Sequence, residues 1–190
     1  MKRVCIYCGS SPGSVPEYGA AARHCGAVLA GRGLTVVYGG GNVGLMNVMA
    51  RELQQAGGRV VGVIPKELND RNLALEGCTE MIVTDGMRDR KATMETRADG
   101  FIALPGGFGT LEELLEIITL KQLRYHAKPI VILNVDGYFD PLLGQFARMF
   151  EEQFAKRKFA ELYFVTADPG AALDYLERYR PETEEWPAKV

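Results

Sequence analysis

Seven short runs of apolar residues recur along the chain, and a longer stretch with helical spacing follows every run but the third. The runs fall at residues 3–8, 35–38, 59–64, 80–84, 100–104, 130–134 and 163–166. Most are continuous in Val, Ile and Leu rather than alternating with polar residues, which is the pattern of parallel strands buried on both faces. The helical stretches fall at 16–31, 43–56, 87–98, 111–123, 141–156 and 170–179, with Gly31-Arg32-Gly33 and Gly57-Gly58 as stops. Repeated strand–helix units of this kind predict an α/β fold: a single doubly wound, Rossmann-like parallel sheet of about seven strands with helices on both faces. Residues 1–180 read as one nucleotide-binding domain. Residues 181–190 read as a polar tail that is loose or packs on a partner subunit.

The remaining bulk properties narrow the partners. With 190 residues, 47% of them hydrophobic, the chain is long enough to bury a sizeable core. A formal charge of −2 gives no support to nucleic acid or an anionic membrane as a partner. No apolar stretch approaches the roughly 20 residues that span a bilayer. The short apolar run in MKRVCIYCGSS reads as a first strand rather than a signal peptide, so the expected location is cytoplasmic. Cys5 and Cys8 have CxxC spacing but lie along that strand, not at a helix start, and with Cys25 and Cys78 they read as buried or half-buried thiols.

In parallel sheets, ligands sit beyond the carboxyl ends of the strands. Gly9 and Ser10, Gly40 and Gly41, Met87, and Gly106 occupy such junctions and are candidate ligand contacts. The richest junction is Pro105–Glu113, PGGFGTLEE. Its glycines let backbone approach a phosphate, and the following helix start offers unpaired N–H groups and a favourable dipole. Thr110 fits an N-cap, and Thr110 with Glu113 matches a capping box. Glu113 therefore has two readings from spacing alone, as a cap or as a catalyst. Gly39-Gly40-Gly41-Asn42-Val43-Gly44 fits G-x-G-x-x-G, yet no acid ends the next strand, where a ribose diol would need one. It reads as a second nucleotide-contacting turn and not as a nicotinamide site.

Three cations in four residues, Arg88, Arg90 and Lys91, follow the fourth strand, where a solvated helix start and a functional cluster are both open. His24 and His126 stand apart from any metal-ligand spacing, there is no G-x-x-x-x-G-K-[ST], and Trp186 reads as a packing residue.

PGGFGTLEE, MRDRKATM, YGGGNVGLM, CIYCGSS and HAKPIVILNVDGYFDPLL together resemble the Lonely Guy family of cytokinin riboside 5′-monophosphate phosphoribohydrolases, long mislabelled as lysine decarboxylases. The resemblance implies hydrolysis of the N-glycosidic bond of an adenine-type nucleoside 5′-monophosphate (AMP or an N6-modified AMP) without metal or cofactor. It places the catalytic pair on Arg90 and Glu113. It adds Lys91, Gly107, Phe108, Gly109, Thr110, Leu111, Glu112 and Thr119 as nucleotide contacts, and it implies a homodimer with the site near the interface. Arg90 is then expected to keep Glu113 ionised by lowering its pKa. The alternative is a non-catalytic nucleotide sensor on the same fold. Where family members often carry a histidine this sequence has Arg88, and where plant members have a glutamate it has Asn72.

Overall fold

In the computed structural model, residues 1–181 are described; the predicted tail from 182 onward, including Trp186, lies outside them. Seven strands form one parallel sheet: β1 (Arg3–Tyr7), β2 (Thr35–Tyr38), β3 (Arg59–Pro65), β4 (Glu80–Thr84), β5 (Gly100–Ala103), β6 (Ile130–Leu133) and β7 (Phe164–Thr166). Their order is β4-β3-β2-β1-β5-β6-β7, and every pairing is parallel. The helices are α1 (Pro16–Gly31), α2 (Gly44–Gln55), a single turn α3 (Lys66–Asn69), α4 (Met87–Arg97), α5 (Phe108–Gln122), α6 (Asp140–Glu151) and α7 (Pro169–Arg178).

The continuous apolar strands are explained by two cores, one on each side of the sheet. Val4, Ile6, Val36 and Tyr38 face a cluster completed by Ala22, Leu29 and Met49 of α1 and α2 and Leu173 of α7. Cys5, Tyr7, Val37 and Phe101 face the opposite cluster, with Met94 of α4, Leu114 and Ile117 of α5 and Phe146 of α6. The central strands must therefore be apolar at both parities, whereas the edge strand β4 is largely exposed or half-buried.

Helix boundaries depart from the sequence expectation in three places. The stretch 141–156 is helical only through Glu151, because Gln153 takes a φ of 62° and a 3-10 turn follows at Arg157–Leu162. The short α3 was not expected, and α5 begins three residues early. By contrast, α7 starts as its sequence suggests: the Asp168 carboxylate accepts from Gly170 N at 3.1 Å and Ala171 N at 3.0 Å, ahead of Pro169 in the first turn.

Candidate functional site

After β1 the chain builds outward through β2, β3 and β4; α4 then carries it back to place β5 on the other side of β1. At such a reversal a parallel sheet has its ligand-binding crevice, which falls here at the carboxyl ends of β1 and β5. Backbone bonds tie the turns there together. Gly9 N donates to Pro105 O at 3.0 Å, and Gly9 O accepts from Leu45 N at 3.0 Å. At Gly44, with φ of 57°, a side chain would overlap the Ser10–Ser11 peptide, so only glycine lets α2 start against the β1 turn. The turns after β1, β2 and β5 are thus one assembly.

The structure corrects the capping-box reading of PGGFGTLEE. Gly107, not Thr110, is the N-cap of α5, with no side-chain capping bond. A glycine cap needs no side chain, so the helix starts at Phe108, and Thr110 lies buried in its first turn. The first backbone bond runs from Leu111 N to Gly107 O at 3.1 Å. The amides of Phe108, Gly109 and Thr110 therefore precede any intrahelical acceptor, as at every helix start. Gly107, Phe108 and Gly109 are exposed, so this helix mouth is open to an anion. Gly106 is packed from below: a Cβ would come within 2.7 Å of both Gly9 N and Thr110 Cβ.

Glu113 instead turns toward Arg90. Arg90 Nη1 donates to Glu113 Oε1 at 2.9 Å, and Arg90 Nε donates to Val63 O at 3.1 Å. Both side chains are about 10% exposed, so each charge depends on the other. Gly39 leaves the space for this guanidinium; a Cβ there would overlap Nη2 and stand 3.1 Å from Cζ. Burial raises the Glu113 pKa, and the opposing pull of the Arg90 charge and hydrogen bond does not cancel it. Arg90 does lower this pKa, as expected, but the net shift is upward: the carboxylate loses more by leaving water than it recovers from one arginine.

The other predicted residues divide. Lys91 pairs with Glu112 and with Glu116 (3.1 Å), joining α4 to α5 beside the crevice. Met87 is exposed at the start of α4, and Leu111 is half-buried. Gly40 and Gly41 are buried, and their backbone is engaged with the 72–75 loop: Gly40 O accepts from Leu75 N at 2.9 Å, and Gly41 bridges Ala74. Asn42 N donates to Leu73 O at 2.9 Å on the same edge. Thr119 is not brought to the crevice of its own chain. It lies about 9 Å further along α5 than Glu113 and roughly 240° around it. It is exposed, and its hydroxyl donates to Leu115 O at 2.7 Å.

Sequence reasoning missed Tyr138, whose hydroxyl donates to Gly106 O. It lies within the stretch HAKPIVILNVDGYFDPLL, but nothing in that stretch signals the contact, because Tyr138 reaches the glycine turn from the turn after β6.

The thiols of Cys5, Cys8 and Cys25 are buried and that of Cys78 half-buried; burial pushes the Cys25 pKa up to about 12. His126 is half-buried, and burial lowers its pKa to about 4; its Nε2 lies 2.9 Å from Ile117 O. Among the described residues no group of three His, Cys, Asp or Glu side chains is placed to hold a metal ion. No helix there is long and apolar enough to cross a membrane.

The fold and site define a class: a parallel α/β protein with an open helix N-terminus and a buried arginine–glutamate pair at its switch point. A family model described as "Possible lysine decarboxylase" matches residues 46–176. A cytokinin riboside 5′-monophosphate phosphoribohydrolase of Arabidopsis thaliana is 43% identical over 190 residues, all of this chain and 88% of that protein. One from Oryza sativa subsp. japonica is 43% identical over 184 residues, 97% of this chain and 76% of that protein. The molybdenum cofactor binding protein of Rippkaea orientalis shares the fold, with a TM-score of 0.71 and 21% identity over 93% of this chain and 96% of that one. The chain belongs to the Lonely Guy family of cytokinin riboside 5′-monophosphate phosphoribohydrolases.

Proposed function

We propose that this protein hydrolyses the N-glycosidic bond of an adenine-type nucleoside 5′-monophosphate, AMP or an N6-modified AMP, giving free base and ribose 5-phosphate. The observation that carries this reading is the buried Arg90–Glu113 pair, set beside the open N-terminus of α5. The family relatives, which are named for this hydrolysis, favour turnover over a sensor role.

In the proposed reaction the phosphate binds the amides at the start of α5, and that binding fixes the sugar over Glu113. The bond from C1′ to the base nitrogen breaks, its electrons leave with the base, and positive charge develops on C1′ and the ring oxygen. The Glu113 carboxylate stabilises that charge and takes a proton from the water whose oxygen bonds C1′. A second proton, from solvent, ends on the departing base, and Glu113 then releases its proton to solvent. A carboxylate with a raised pKa is a better proton acceptor than an ordinary glutamate, and burial supplies that shift. Arg90 holds the carboxylate in place.

We further propose a homodimer. Leu115 and Thr119 of α5 and Leu123, its C-cap, recur at intervals of four, and all three are exposed, with Leu115 at 40% and Leu123 at 54%. A second copy seated on this stripe would bury the two leucines and take Thr119 toward its own crevice. The four thiols without disulfides fit a reducing, cytoplasmic setting.

Incubation with AMP and with N6-isopentenyl-AMP, followed by detection of free base, tests the reaction. Glu113→Gln should lower the turnover rate by about 10²–10⁴-fold. Full activity in that variant would refute the mechanism, and AMP binding without any turnover by the native protein would favour the sensor.

A further inference from the structure

We infer that Tyr138 is a positioning residue: its hydroxyl locks the Gly106–Gly107 peptide so that the Gly107 N–H faces the bound phosphate. The inference rests on the phosphate cradle proposed above. In a trans peptide the C=O and N–H of one unit point in opposite directions. Tyr138 donates to Gly106 O, so the N–H of the same peptide, carried by Gly107, points away from the tyrosine. Gly9 N–H does the same one unit earlier by holding Pro105 O, which turns the Gly106 N–H to the other side of that peptide. Two successive carbonyls of the turn are thus fixed by donors from other elements. Glycine at 106 and 107 would otherwise leave both peptides free to rotate.

The tyrosine itself stands on a braced turn. Asn134 N donates to Thr166 O at 2.7 Å, the Asn134 side chain accepts from Phe139 N at 2.7 Å, and its amide donates to Asp140 Oδ1 at 2.7 Å. The ring packs edge-on against Tyr18 at 5.5 Å and against Phe139 at 5.0 Å. The hydroxyl proton is already given to Gly106 O, so Tyr138 has no second proton to offer a phosphate and acts through the peptide.

Tyr138→Phe removes the hydroxyl and leaves the ring packing intact. The test is the ratio of the dissociation constants for adenosine and AMP, measured by calorimetry in the native protein and the variant. That ratio isolates the phosphate contribution. It should fall by about three- to tenfold in Tyr138→Phe, with adenosine affinity changed less than twofold. KM for AMP should rise by a similar factor while kcat stays within twofold. A general loosening of the structure would weaken adenosine and AMP alike and leave the ratio unchanged; that result overturns the inference without touching the proposed hydrolysis. Equal affinity of the native protein for adenosine and AMP would remove the phosphate cradle itself, and the inference with it.

Discussion

Replacing Gly39 by alanine tests why a glycine directly follows the second strand. Gly39 is not among the residues with positive φ, so the backbone there does not demand glycine. The added methyl would instead overlap Arg90 Nη2 and sit 3.1 Å from both Arg90 Cζ and Met46 Sδ. The end of an arginine side chain moves easily when free, but this one is held by Val63 O through Nε and by Glu113 through Nη1. Moving it strains or breaks a charge-assisted bond and leaves the Glu113 carboxylate buried with a displaced partner. We expect a cost of about 2–4 kcal/mol, below the full loss of a buried ion pair because the guanidinium is shifted and not removed. For a chain of this size that is about 4–16 °C in the unfolding midpoint. Base release from AMP should fall by at least about tenfold, because Glu113 would no longer be held over the sugar. The decisive comparison is the double variant with Arg90→Ala. If the clash is the whole cause, adding Gly39→Ala to Arg90→Ala should cost less than about 0.5 kcal/mol more than Arg90→Ala alone. A Gly39→Ala protein with native stability and activity within twofold of normal would refute the reasoning. So would costs that simply add in the double variant.

The raised Glu113 pKa predicts that the acid limb of the kcat/KM profile lies above the ordinary glutamate range, since turnover needs the ionised carboxylate; an acid limb at the usual value would contradict it. Replacing Arg90 with Gln should move that limb higher still, because the arginine is what opposes the burial shift. The same shift has a stability consequence: a carboxyl whose folded pKa is raised binds its proton more tightly when folded. Its contribution therefore weakens folding as pH rises from the ordinary glutamate value through the folded value, and Glu113→Gln should flatten that part of the stability profile measured by denaturant titration. Lys91→Ala should cost only about 0.5–1 kcal/mol, because its partners Glu112 and Glu116 are 56% and 41% exposed, and a double-mutant cycle with Glu112→Gln checks the assignment. Leu115→Asp should turn a dimer seen by sedimentation into a monomer and reduce activity with it; an active monomer would separate Thr119 from the site.

What the sequence made legible follows from what repeats locally. The strands could be placed because the central ones, β1, β2, β3, β5 and β6, are buried on both faces and are apolar along nearly their whole length, a signal that survives without knowing any neighbour. The start of α5 could not be placed, because Gly107, Phe108 and Gly109 carry no apolar period. Thr110 offered a plausible cap, and only the folded chain shows that it is buried in the first turn. The same limit applies to the site. The glycine turn is written in consecutive letters, whereas the Arg90–Glu113 bond spans 23 residues and the contact from Tyr138 to Gly106 spans 32. Long-range pairs of this kind leave no spacing to read, and the first came into view only through resemblance to a family.

The direction of the Glu113 pKa shows why geometry had to be added to that pair. An arginine beside a glutamate reads, on charge alone, as a carboxylate held ionised well below neutral pH. Burial reverses the sign: at about 10% exposure the desolvation of Glu113 outweighs the attraction of Arg90. The reversal changes the chemistry the pair can do. A carboxylate stabilised too well by its arginine would be a poor proton acceptor, while one kept slightly short of stabilisation can both face a developing oxocarbenium charge and take a proton from water. The arginine is then needed to keep the group ionised at neutral pH despite its burial. Gly39 is needed in turn, because without its missing side chain the guanidinium has nowhere to stand.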